Sequence, residues 1–236
     1  MKIVGYQKDL RGLSLDTFLL SIYSALYDTF GPQHWWPAET RLEIVVGAIL
    51  TQNTNWKNVE KAIDNLKESG ILTIEGILEN KDRIPELIKS VGYYRIKTDR
   101  LINLMNKIKE YGSLENFLSL PLERLREELL SIKGIGKETA DSIILYASGY
   151  PIFVVDAYTR RLFSRLGIIR GNESYDEIQN MVMKNTPKDE YLYNEFHALI
   201  VELCKRYCRK KPICIGCPVG KFCEGVENEE FYNKGL

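Results

Sequence analysis

The stretch Ile132-Lys133-Gly134-Ile135-Gly136-Lys137-Glu138-Thr139-Ala140-Asp141 decides how this chain is built. Ahead of it, Leu122 to Ile132 carries apolar residues at helical spacing with Pro121 at the entrance; behind it, Glu138 to Ala147 reads as a second helix. Gly134 and Gly136 then form a hairpin between two helices. Such a turn exposes successive backbone N–H groups at a helix N-terminus, where a phosphate oxygen meets both donors and the positive end of the helix dipole. Lys133 and Lys137 flank the turn and add charge for the same phosphate. A plain helical hairpin with no ligand also uses glycines, so the motif alone leaves both readings open.

Helical spacing extends outward from there in both directions. After Ser14, read as an N-cap, Leu15, Phe18, Leu19, Ile22, Leu26 and Phe30 fall on one face until Gly31-Pro32. Leu42, Val45, Val46 and Ile49 mark the next helix. Trp56-Val59-Ile63-Leu66 runs to Gly70, and Leu101-Leu104-Ile108 runs to Gly112. Only Ile152-Phe153-Val154-Val155 has a β composition, and at four residues it reads either as a short strand or as a buried extended connector. The expected fold is all-α, about ten short helices with ligands bound between helical lobes.

At 236 residues the chain is long enough for one large domain or two modest ones. No window has the ~18 uninterrupted apolar residues of a membrane span. Met1-Lys2-Ile3-Val4-Gly5 begins no charged-then-apolar leader, so an intracellular, cytoplasmic chain without a membrane partner is expected. Lys plus Arg equals Asp plus Glu at 32 each, which gives no global argument for a polyanionic partner. The local distribution does better: Lys205, Arg206, Arg209, Lys210 and Lys211 cluster without an acid, and Arg160, Arg161 and Arg165 recur after Asp156. Those cations can grip phosphates, or form a solvated face that balances an anionic cluster.

No cysteine occurs before Cys204, and then four fall in the pattern Cys208-x5-Cys214-x2-Cys217-x5-Cys223. Two unstrained disulfides are hard to fit into so short a segment, so four thiolates converging on one metal centre is the simpler reading. Asp156 ends the apolar run and opens the segment Ala157-Tyr158-Thr159-Arg160, so it is placed to cap a helix. The same carboxylate, beside an apolar wall, can stabilise a developing sugar cation or orient and deprotonate water. His197 in a helical run reads as structural, Tyr158 as packing, and Glu202 as the i,i+4 partner of Arg206.

Gly134-Ile135-Gly136-Lys137-Glu138-Thr139-Ala140, then Val154-Val155-Asp156, then the cysteine loop, resemble the endonuclease III branch of the helix-hairpin-helix DNA glycosylases over nearly the whole chain. Leu50-Thr51-Gln52-Asn53-Thr54 is similar to that family's segment whose glutamine enters the gap left by the flipped nucleotide. Gly92-Tyr93-Tyr94-Arg95-Ile96-Lys97 resembles its wedge loop, with Tyr93 at the position that pushes between bases. The resemblance implies a two-lobed fold: a helical barrel over residues 37–150, and a second lobe joining 1–36 with 151–236. It implies a monomer on double-stranded DNA containing a damaged base, with Asp156 catalytic and a four-iron four-sulfur (4Fe-4S) cluster on Cys208, Cys214, Cys217 and Cys223. The first cysteine gap is one residue shorter than the family's, and Cys204 lies four residues upstream as a rival to Cys208. On the residues alone, zinc on four thiolates remains the competitor.

Glu138 falls where bifunctional relatives carry the lysine that attacks C1′ of the sugar. A carboxylate forms no Schiff base, so the resemblance implies a monofunctional enzyme in which Asp156 directs water. Lys137 is one residue out of register, turned by about 100° on the helix. His34-Trp35-Trp36-Pro37 together with these motifs looks most like the methylpurine glycosylases, whose alkylated, cationic bases suit stacking on Trp35 and Trp36. Some of those relatives carry a lysine where this chain has Leu199. The alternatives are an oxidised-pyrimidine glycosylase with AP-lyase activity, a mismatch thymine or uracil glycosylase, and a non-catalytic DNA-binding module or redox sensor.

Overall fold

The computed structural model describes residues 12–223. The Met1-to-Gly5 start and both outer ends of the expected second lobe lie outside the described residues. Within them the helices are α1 (Leu15–Phe30), α2 (Arg41–Leu50), α3 (Trp56–Glu68), α4 (Ile74–Glu79), α5 (Ile84–Leu87), α6 (Tyr94–Glu110), α7 (Leu114–Leu118), α8 (Leu122–Ser131), α9 (Lys137–Ile143), α10 (Ala157–Arg165), α11 (Tyr175–Lys184) and α12 (Glu190–Arg206). No strand occurs among the described residues. The sequence suggested about ten; α4, α5 and α7 span only six, four and five residues, too short to show a 3.6-residue period.

The chain divides into two compact units. One is Trp36–Tyr150; the other is formed, within the described residues, by 12–35 and 151–223. In the first, α2 is buried along most of its length and packs on α3, α6 and α9. Its start is fixed by the Thr40 hydroxyl accepting from the Glu43 N–H, worth about 1 kcal/mol for such a cap. Glu43, buried beside that cap, pairs with Lys67 of α3 at 3.0 Å.

In the second unit α1 and α10 both pack on α12. Phe18, Leu19, Ile22 and Leu26 of α1 are buried as their spacing predicts, each worth ~1.5–3 kcal/mol when removed from water. Two details differ from the sequence reading. Ser14 sits at the N-cap, but its hydroxyl pairs with the Thr17 hydroxyl at 2.9 Å instead of capping the helix. Phe30 stays partly exposed under the Arg206 guanidinium, 5.1 Å from the ring centroid.

The run Ile152-Phe153-Val154-Val155 is a buried connector, not a strand. Side chains meet part of its backbone: Gln179 donates to the Phe153 carbonyl at 2.7 Å, and Val155 N–H donates to the Tyr175 hydroxyl at 3.4 Å. Phe153 sits among Phe163, Tyr193 and Phe196, so its composition reflects burial in an aromatic core. The connector delivers Asp156 to the N-cap of α10.

Candidate functional site

The hairpin forms where the sequence places it. α8 stops at Ile132, Gly134 turns the chain at φ +96°, and Gly136, in extended backbone, caps α9. Buried Ile135 anchors the turn from below, leaving Lys133, Gly134, Gly136, Lys137 and Glu138 exposed. The second helix begins at Lys137 and is regular only to Ile143; Ile144–Ser148 continues it as a π-helical turn that the sequence did not signal. The two hairpin helices are tied by an ion pair also missed in the sequence. Arg126 of α8 donates to both carboxylate oxygens of fully buried Asp141 in α9, at 2.7 and 3.2 Å.

Gln52 lies over this hairpin. Its amide donates to the Thr139 hydroxyl at 2.8 Å and to the Gly134 carbonyl at 3.4 Å, while its oxygen accepts from Arg100. Tyr93 is 71% exposed and adopts the left-handed region at φ +47°, directly after Gly92 at φ +65°. A large aromatic ring in that conformation is uncommon, and here it projects outward at the start of α6. Lys97, one turn later, is buried and donates to the carbonyls of Leu50 and Val91 at 2.8 and 2.9 Å. Burial, and then the charge of Arg100, lower its ammonium to about 8.

Asp156 occupies the N-cap of α10, as its position suggested, and accepts from the Thr159 N–H at 2.7 Å. Its other oxygen lies 3.4 Å from Nε2 of His197 on α12. Burial raises the carboxyl, but His197 and the Thr159 contacts outweigh it and hold Asp156 below the ordinary aspartate value. His197, read from sequence as merely structural, therefore faces the carboxylate. The other face of the arrangement is Trp35, stacked on the His197 ring at 5.5 Å and 13°. Buried Glu195 secures that stack by accepting from the Gln33 and His34 N–H groups at 2.6 and 3.0 Å, which fixes the turn presenting Trp35. A pocket beside Trp35 is lined by Gln33, Ala198, Val201, Glu202 and Lys205.

Trp36 is placed differently from Trp35. It packs edge-on to Trp56 at 5.3 Å and against Tyr146 at 5.1 Å, and its indole fills the space over Gly47. Leu199 is fully buried.

The five cysteines are free thiols. Cys208 accepts from Arg165 at 3.1 Å, and Cys223 donates to the carbonyl of the same Arg165 at 3.5 Å. Burial, followed by the charges of Cys208, Cys214 and Cys223, pushes the Cys217 thiol up to about 11. Cys204, inside α12, lies 3.7 Å from the Tyr158 carbonyl and is also hydrogen-bonded to the Cys208 thiol. Among the described residues, no three Cys, His, Asp or Glu side chains are gathered tightly enough to hold a single metal ion. No helix among them is long and apolar enough to cross a membrane.

Residues 46–188 match the HhH-GPD superfamily of base excision DNA repair proteins, and the chain belongs to that family. It is similar to a Methanocaldococcus jannaschii protein described as "Putative DNA repair glycosylase", 54% identical over 87% of this chain and 95% of the relative. An H. pylori 3-methyladenine DNA glycosylase, solved with 1,N6-ethenoadenine, superposes with a TM-score of 0.71 at 34% identity over 80% of this chain and 97% of that one. A non-covalent endonuclease III–DNA complex superposes at 0.80 over 94% and 100%; at 22% identity it shows the shared fold alone. The chain is thus an endonuclease III-like helix-hairpin-helix DNA N-glycosylase.

Proposed function

We propose that the enzyme is monofunctional and hydrolyses the N-glycosidic bond of alkylated purines extruded from duplex DNA. The observation that carries this is the Asp156 carboxylate, held below the ordinary aspartate value by His197 and Thr159 and only partly exposed at the head of α10. An anion fixed there stabilises positive charge developing on the sugar and directs water at C1′ in one step. Glu138 stands where a Schiff-base amine would be needed, which supports hydrolysis without strand cleavage. Trp35, stacked on His197 and already holding the Lys205 ammonium 5.9 Å from its ring centroid, supplies an electron-rich ring that a cationic base would take over. The 34% identity to the 3-methyladenine enzyme favours that lesion class.

In this reading the hairpin at Gly134 and Gly136, with Lys133 and Lys137, holds backbone phosphate, while Tyr93 and Gln52 occupy the vacated stack. Cys208, Cys214, Cys217 and Cys223 would hold a 4Fe-4S cluster, which would supply a rigid loop presenting Arg209, Lys210 and Lys211 to DNA. Four free thiols in one short segment, with Cys217 feeling the charges of the other three, suit such a cluster. Cys204, held within α12 and hydrogen-bonded to Cys208, then supports that ligand from outside the set.

The test is base release from a panel of duplexes carrying 3-methyladenine, 7-methylguanine, 1,N6-ethenoadenine, thymine glycol, and thymine or uracil opposite guanine. Preferential release of the alkylated purines is expected. Release confined to the oxidised or mismatched pyrimidines would overturn the assignment.

A further inference from the structure

The hairpin, the gap-filling segment and the wedge come from distant parts of the sequence, yet one face of α6 touches all three. Lys97, Arg100 and Asn103 recur every third residue there. Lys97, 1% exposed, donates to the Leu50 carbonyl two residues before Gln52 and to the Val91 carbonyl two residues before Tyr93. Arg100 donates to the Gln52 side-chain oxygen. Its stem lies flush against the hairpin, 2.6 Å from where a Cβ on Gly134 would stand. Asn103 donates to the Lys133 carbonyl at 3.4 Å. A buried ammonium and a half-buried guanidinium are costly to desolvate, and the bonds they make to the Leu50 and Val91 carbonyls and to Gln52 offset that cost. The Arg100 Nε is itself buried without a partner, so its grip on Gln52 is not part of a fully satisfied network.

We propose that this stripe is the brace that sets the three segments in register, and that Arg100 is a positioning residue that holds Gln52 poised to enter the space of an extruded nucleotide. The inference rests on the reading of Gln52 and Tyr93 given above. With Gln52 fixed at one end by Thr139 and at the other by Arg100, its amide begins each encounter in one orientation instead of sampling several. Loss of Arg100 then slows insertion without removing any contact to phosphate.

The experiment is stopped-flow fluorescence of a duplex carrying 2-aminopurine beside a tetrahydrofuran abasic analogue, with duplex affinity measured in parallel. Arg100→Met is expected to slow the fluorescence rise by about tenfold, the size of one lost charge-assisted hydrogen bond, with affinity within about twofold of wild type. Arg100→Lys, which keeps the charge and stem and so guards against a folding defect, is expected to be intermediate. In a Gln52→Ala background Arg100→Met should have no further effect, because Arg100 acts through Gln52. Wild-type speed in Arg100→Met, or an undiminished tenfold loss in the Gln52→Ala background, would overturn the brace. Wild-type protein that binds the duplex without any fluorescence change would instead overturn the reading of Gln52 and Tyr93 on which it stands.

Discussion

Replacing Arg126 by methionine tests whether the hairpin is held by its buried ion pair. The Asp141 side chain is fully buried and receives two bonds from Arg126, at 2.7 and 3.2 Å, across α8 and α9. Methionine keeps most of the stem but takes both of these bonds away from a carboxylate in the interior. Breaking a buried pair from one side costs about 3–5 kcal/mol. Arg126 is itself 24% exposed, so water can reach toward the vacated site, and the lower end, about 3 kcal/mol, is the better expectation. For a chain of this size that lowers the melting temperature by about 6–12 °C. Thermal unfolding followed by circular dichroism at pH 7 reads the shift. Arg126→Met with Asp141→Leu should recover most of it, since neither charge remains to be desolvated. A single variant melting within about 2 °C of wild type, or a double variant no better than the single, would refute the argument.

Other consequences follow from the same geometry. Because Asp156 is held below its ordinary value, its ionised form and the stability it confers persist down to pH 3.8 and are lost only as pH falls further, through the folded value; carbon-13 NMR of this carboxyl should show an upward move in His197→Phe, and an unmoved value would remove His197 from the site. The two hairpin glycines should respond differently to alanine. Gly134→Ala forces a Cβ into Arg100 at φ +96° and should cost at least ~1–2 kcal/mol in urea unfolding. Gly136→Ala, in extended backbone with open space around it, should leave stability unchanged while weakening duplex binding; equal stability losses would contradict this. Anaerobically purified protein should be brown with about four irons per chain, Cys217→Ser should lose that iron and Cys204→Ser should keep it, so iron-free wild type or iron loss in Cys204→Ser would contradict the ligand set.

Most of the fold was legible because periodic burial writes itself locally. The positions of Phe18, Leu19, Ile22 and Leu26, the glycines of the hairpin and the capping aspartate each declare themselves within a few residues. What escaped reading was polar chemistry made by distant partners. Lys97, Arg100 and Asn103 look like an ordinary solvated stripe, and nothing local says that their acceptors are Leu50, Gln52 and Lys133. His197 meets Asp156 across 41 residues of sequence, and Glu195 reaches back to Gln33 and His34 across more than 160. The one signal available was i,i+3 recurrence of long polar residues on α6, which at an exposed face would mean nothing. Similarly, Trp35 and Trp36 are adjacent in sequence but part company in space: one stacks on His197, the other joins Trp56 and Tyr146.

The central claim is that an aspartate, with no amine in attendance, carries the chemistry. Single-turnover incubation of wild type and Asp156→Asn with duplex containing an alkylated purine, with and without borohydride, tests it most directly. The account predicts base release by wild type, no trapped protein–DNA adduct, and release abolished in Asp156→Asn with duplex binding intact. A covalent adduct in wild type, or undiminished release by Asp156→Asn, would contradict it.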